Sequence, residues 1–228
     1  MKLDLLDTYS IRVRLSVSVI LLSPIAITTF LCFEEINTFA SSSVFIFILL
    51  SFTNYLPIMQ RYINKDKFSK INYAAQFLLP SDTTIDRITK VRYYEKLAKV
   101  DKTFEQFKNS ANSENHALCC NSAVSFLKTY TRKNHLVQEE NINYGFCKNL
   151  LANKTFGIVI CSIIMVFIAI FSRAKFGSFS DIPINNYFAF FVNLFMLIFW
   201  IFGINKKMVD NAAKYYAKAL LSSIETLS

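Results

Sequence analysis

TFGIVICSIIMVFIAIFS, residues Thr155–Ser172, runs 18 residues without a charged side chain. Its polar members are isolated Thr, Cys and Ser, with no polar stripe at helical spacing. As a helix rising ~1.5 Å per residue it spans ~27 Å, close to the ~30 Å hydrocarbon core of a bilayer. Three further stretches read the same way: Leu15–Phe33, Ser41–Met59 and Tyr187–Ile204. Buried helices of soluble cores are usually shorter and carry a polar face. The four stretches predict an all-α integral membrane protein with four transmembrane helices. A cleaved signal peptide is the competing reading of the first. Signal cores run ~7–15 residues, whereas Leu15–Phe33 is longer and is followed by Glu34 and Glu35.

The spans divide the chain. Residues 1–59 hold an N-terminal stub and a transmembrane hairpin (15–33 and 41–59). Residues 60–154 form a basic helical domain inserted between spans 2 and 3. Residues 155–204 hold the second hairpin (155–172 and 187–204), and 205–228 an amphipathic tail. The two short loops joining paired spans contain Arg173 and Lys175 of the 25 basic residues, and Glu34, Glu35 and Asp181 of the 16 acidic ones. The remaining bases lie in the ends and the inserted domain, so the positive-inside bias predicts that both termini and the inserted domain are cytoplasmic.

Within the inserted domain, Pro80 breaks one helix, and Ser81 or Asp82 caps the next, about Thr83–Val100, with an apolar stripe of Ile85, Ile88, Val91, Tyr94 and Leu97. A second helix covers about His116–Lys133, its apolar side formed by Leu118, Val124, Phe126, Leu127 and Tyr130. Asn134 stops it. A third, about Val137–Ala152, leads into span 3, with Gly145 as a bend or close-packing point. In the tail, Val209, Ala212, Ala213, Tyr216, Ala219, Leu220 and Ile224 recur at helical spacing, which suits either an interfacial or an oligomerising helix.

Catalytic motifs are missing. No P-loop, GxGxxG, HExxH or GxSxG occurs, and four glycines cannot build a phosphate-cradling loop. The five cysteines and two histidines show no metal-ligand spacing. The expectation is a non-enzyme without cofactor or metal, its cysteines reduced. Four charge-free spans also argue against a proton-coupled transporter or a voltage sensor. A pore between subunits would be lined by small polar groups, and Thr28, Asn54 and Asn193 are the candidates. An interhelical hydrogen bond is the competing role of Asn193.

Residues Arg61–Lys154 carry 16 basic and 9 acidic side chains. Bases alternate with aromatics, which nominates Arg92, Tyr93, Lys96, Lys128, Tyr130, Arg132 and Lys133 as a ligand surface. Cations track phosphates while rings stack on bases, the scheme by which single-stranded nucleic acids are held. For Lys65, Lys67 and Lys70, the bases near a span, lipid attraction or topology is the preferred reading.

Two strings carry a family resemblance. One is Pro80-Ser81-Asp82-Thr83-Thr84 with Arg87 and Arg92-Tyr93-Tyr94. The other is Thr131-Arg132, Glu139-Glu140-Asn141 and Tyr144-Gly145-Phe146-Cys147-Lys148-Asn149-Leu150, immediately before span 3. Together they resemble a family of small bacterial membrane proteins of anti-phage defence loci. The layout is similar to the membrane effector of Hailong-type systems. The resemblance covers roughly Pro80–Leu151 and the four-span layout, and departs at Cys147, where the relatives are basic. It implies a homo-oligomeric channel held closed by a DNA oligomer or nucleotide messenger that a partner nucleotidyltransferase makes. Tyr144, Gly145, Phe146 and Asn149 would then couple the cytoplasmic helices to span 3. The alternative is a non-conducting membrane anchor for a cytosolic protein partner.

Overall fold

A computed structural model describes residue 9 and residues 11–33, 71–100, 104 and 113–227 of the chain. Span 2 (Ser41–Met59), Asn54, the basic stretch 61–70 and most of the loop 108–115 lie outside the described residues.

The described residues are helical, with no strand among them. They comprise α1 (Ser16–Cys32), α2 (Tyr73–Leu78), α3 (Arg87–Val100), α4 (Ser113–Tyr130), α5 (His135–Phe176), α6 (Ile184–Ile198) and α7 (Lys206–Ser222). A π turn, Ile11–Leu15, precedes α1, and another, Phe199–Gly203, follows α6. Among the described residues three helices are long and apolar enough to cross a membrane: Ile11–Cys32, His135–Phe176 and Ile184–Gly203. The chain forms two compact units. Unit 1 holds the described parts of Met1–Phe68 together with Gly145–Met208, and unit 2 holds those of Ser69–Tyr144 with Val209–Ser228.

In unit 1, α1 packs on α6. Pro24 lies inside α1 and cannot donate to the Ile20 carbonyl four residues back. The Ser23 hydroxyl donates to that carbonyl instead, at 3.0 Å. Ser18 and Thr29 likewise bond the carbonyls of Arg14 and Ile25. A hydroxyl bonded back to its own helix leaves no polar group facing hydrocarbon. One core cluster holds Val17, Leu21, Leu150, Cys161, Trp200 and Ile204. A second joins Cys32, Ile168 and Ala189, with the Phe33 ring 5.0 Å from that of Phe171.

Gly157 lets α5 approach the π turn Phe199–Gly203 closely. A Cβ there would stand 2.2 Å from the Trp200 ring atoms. The indole therefore lies against bare backbone, and Trp200 is fully buried.

Both π turns take donors from α5. Asn149 Nδ2 bonds the Val13 carbonyl at 3.0 Å. Lys154 Nζ bonds the carbonyls of Ile201 and Ile204, each at 2.7 Å. π turns leave the regular hydrogen-bond ladder locally out of step, and a carbonyl without a donor in an apolar layer is costly. Asn205 then caps α7 by accepting from the Met208 N–H at 3.0 Å.

In unit 2, α2 packs on α4. The core gathers Ala74, Phe77 and Leu78 of α2, Tyr93 and Leu97 of α3, Cys120, Val124 and Leu127 of α4, and Leu220, Leu221 and Ile224 of the tail. The tail's apolar face is thus covered within unit 2, a third outcome beside the interfacial and oligomerising readings. Two expected stripes are rotated. Ile88 and Val91 of α3 are exposed, and its buried face is Lys90, Tyr93 and Leu97. On α4, Leu118 and Tyr130 are exposed, and Cys120 and Ala123 take their place. α3 also begins later than expected, with Asp86 rather than Ser81 or Asp82 at its cap: Asp86 Oδ1 accepts from the Thr89 N–H at 2.8 Å.

Gly157→Ala is expected to destabilise unit 1 by about 1–3 kcal/mol, the usual range for overpacking. Thermal unfolding in detergent reads this as a lowered midpoint, and an unchanged midpoint would contradict the Gly157–Trp200 contact.

Candidate functional site

The cationic candidates separate into two groups. Arg92 and Lys96 are one turn apart on α3, so they share a face. Both meet Glu225 in the 3-10 turn Ser223–Thr226 that follows α7. Arg92 Nε lies 2.8 Å from Glu225 Oε1, and Lys96 Nζ lies 3.4 Å from Oε2. Lys96 also donates to the Glu225 carbonyl. Tyr130, at the end of α4, donates through its hydroxyl to the Thr226 carbonyl at 3.5 Å. Its ring stacks on Phe126 with centroids 5.8 Å apart. Residues from α3 and α4 thus converge on one short turn, those of α3 on the Glu225 carboxylate and Tyr130 of α4 on the Thr226 carbonyl.

Lys128, Arg132 and Lys133 are exposed. Among the described residues Glu225 takes its ion pairs from Arg92 and Lys96, and these three stand apart from it. Tyr93 is 6 % exposed and packs in the core, so its ring offers no open stacking face. Burial, with Glu225 nearby, pushes its phenol above the ordinary range and keeps it protonated.

Lys90 reads in the sequence as a base of the interleaved helix and as an i,i+4 partner of Asp86. It is 4 % exposed. Its ammonium donates to the Leu79 carbonyl at 2.6 Å and to the Asp82 carbonyl. Tyr94 donates to the Leu78 carbonyl. α3 therefore supplies the donors that the break after α2 lacks. Burial lowers the Lys90 pKa and pushes Tyr94 up to about 12. Burial also raises the Cys120 thiol to about 12, with Cys119 adding and Lys90 opposing. Such a thiol is inert at neutral pH.

The coupling residues divide at the unit boundary. Tyr144 belongs to unit 2, its ring stacked on Tyr216 at 6.2 Å. Gly145, Phe146 and Asn149 belong to unit 1. α5 runs through Gly145 without interruption. A Cβ on this glycine would lie 2.8 Å from the Tyr9 hydroxyl and 3.1 Å from a Val13 methyl, so it marks a close approach. Phe146 packs against the core cluster around Trp200.

The described pore candidates meet each other. Asn193 Nδ2 donates to Thr28 Oγ1 at 2.9 Å and to the Ala189 carbonyl at 2.8 Å. Both residues are buried, which is the interhelical bond weighed above for Asn193. Asn193 Oδ1 has no partner among the described residues.

No disulfide joins any of the five cysteines. Among the described residues no group of three or more His, Cys, Asp or Glu is placed to hold a metal ion. Comparison with protein-family models, curated proteins and solved structures finds no match to this chain.

Two outcomes follow from this geometry. Lys90→Met is expected to cost about 2 kcal/mol, since charged hydrogen bonds to buried carbonyls contribute ~1.5–3 kcal/mol. Arg92→Ala should cost under ~1 kcal/mol, as exposed ion pairs do. Denaturant unfolding checks the ranking, and equal effects would contradict it. The Thr89 N–H holds the Asp86 carboxyl below its ordinary 3.8. That contribution to stability is present above pH 3.8 and is lost as pH falls through the lower folded value. Asp86→Asn keeps a capping oxygen and removes the titration, so its acid unfolding curve should be flatter than the wild type's. Parallel curves would refute the assignment.

Proposed function

We propose that the chain is a four-span, homo-oligomeric membrane effector of anti-phage defence. In it unit 2 binds an anionic nucleotide or oligonucleotide and thereby holds a channel closed. The observation that carries the reading is the convergence of Arg92, Lys96 and Tyr130 on the Glu225 turn. Two cations on the Glu225 carboxylate, beside a phenol on the neighbouring Thr226 carbonyl, form a site in which a phosphate can replace that carboxylate. An arginine offers a phosphate two parallel donors, and the exposed pairs it gives up contribute only ~0–1 kcal/mol each. Glu225 is then a built-in competitor, and release of the turn from α3 and α4 is the local signal. The signal changes gating only to the extent that ligand affinity differs between closed and open states. Lys128, Arg132 and Lys133 extend the track for a longer backbone.

The membrane part of the proposal adds Ser41–Met59 to the three apolar helices and places both termini in the cytoplasm of a bacterial inner membrane. The family resemblance supports the ligand class, a DNA oligomer or messenger from a partner nucleotidyltransferase. No reaction is assigned to the chain itself.

Ile88, 79 % exposed, and Val91, 45 % exposed, favour a second reading. They place an apolar patch on the helix that carries Arg92, which suits a cytosolic protein partner and a non-conducting anchor.

Binding of a fluorescent single-stranded DNA oligomer to the full chain in nanodiscs separates the two. Joint reversal of Arg92 and Lys96 to Glu should weaken binding at least ~10-fold and reduce the salt slope by about two. Glu225→Gln should tighten it by a few-fold. Binding unaffected by the charge reversals would remove this site, and a chain that conducts no ions with or without the oligomer would leave the anchor.

A further inference from the structure

α5 ends at Gly177, whose φ of +74° is left-handed and whose N–H bonds the Arg173 carbonyl at 3.1 Å. The chain turns through Phe179–Asp181 and enters α6 at Ile184. Between the last turns of α5 and the first turns of α6 lies a groove of about 810 Å³. That is within the ~300–1,000 Å³ typical of small-molecule sites. Its walls are hydrocarbon, including Ile168, Ile170, Phe190 and Phe191. Ile170 is 65 % and Phe191 62 % exposed. The polar pair in it is self-contained, with Asn186 Nδ2 donating to Ser172 Oγ at 2.8 Å and both residues buried.

The charge lies at one end. Arg173 lines the groove and is exposed, its guanidinium 5.4 Å from the Phe179 ring centroid. Lys175 shares the last turn of α5. Asp181 is the one acid in the connection, so the end is net positive. From Ile168 to Arg173 is five residues, ~7.5 Å of helix rise at ~1.5 Å per residue. The groove therefore passes from hydrocarbon to cation over about the distance that separates an acyl chain from its headgroup.

We propose that this groove binds an anionic phospholipid, with an acyl chain along Ile168, Ile170, Phe190 and Phe191 and the phosphate on Arg173. A helix from a second copy would fill the apolar part without a charge of its own, because the spans carry no charged side chain, and it would have to bring a loop acid, Glu34, Glu35 or Asp181, to the cation. A phosphate answers it, and a zwitterionic headgroup answers it less well because its own cation competes.

The test places the full chain in phosphatidylcholine vesicles with a trace of phosphatidylglycerol bearing a photoactivatable acyl chain. Labelled peptides are then mapped by mass spectrometry. Label should concentrate on residues 168–191 and exceed that from the matching phosphatidylcholine probe by about fivefold, the attraction of one surface cation for an anionic headgroup. Arg173→Gln should remove that preference. Ala169→Trp, which fills the groove and keeps the cation, should reduce label from both probes. Label spread evenly over the apolar helices, or equal labelling by both headgroups, would overturn the proposal. So would chain-to-chain cross-links that displace both probes from 168–191.

Discussion

Two irregular helix ends in unit 1 rely on one neighbour. The π turn that opens the first apolar helix and the π turn that closes the last each take a side-chain donor from α5, Asn149 for Val13 and Lys154 for Ile201 and Ile204. In a hydrocarbon layer a carbonyl without a donor costs several kcal/mol. The three helices can therefore keep these π turns only while α5 holds its register against both. Gly145 and Gly157 set that register from the same helix, one against Tyr9 and Val13 and one against Trp200. Substitutions on α5 that touch no partner molecule still act on both ends of this arrangement.

Unit 2 uses the same device with a different donor. Lys90 and Tyr94 satisfy carbonyls at the break between α2 and α3, and burial makes Lys90 harder to protonate. The Glu225 cluster differs in kind. Its pairs are half-exposed and weak. The first set fixes the fold, and the second can exchange partners at little cost. A binding surface built from weak, replaceable pairs on a rigid core suits a sensor better than one built from buried pairs, whose separation leaves an uncompensated charge.

Much of this was legible in the sequence, and the exceptions share a cause. Three of the four apolar stretches coincide with long apolar helices, because length and missing charge suffice to identify them. Asn134 was readable as a stop. Ile88 and Val91 were expected inside, and Lys90 is buried instead, because periodicity assigns polarity by side-chain type and cannot see that two carbonyls eleven and eight residues away need a donor. Gly145 read equally as a bend or a close contact, and the approach of Tyr9 shows the second. Glu225 carried no signal at all. Its partner Arg92 lies 133 residues away, and no local pattern records such a pairing. Lys154 was visible as the last charge before Thr155, yet its carbonyl partners lie 47 and 50 residues on.

The central claim is that the chain forms a channel by itself and that bound anion closes it. The direct measurement is inner-membrane potential, followed with a potential-sensitive dye, when this chain alone is expressed in a bacterial host lacking any partner nucleotidyltransferase. The account predicts rapid depolarisation by the wild-type chain. A potential that holds steady, with the protein shown to be inserted, would contradict it.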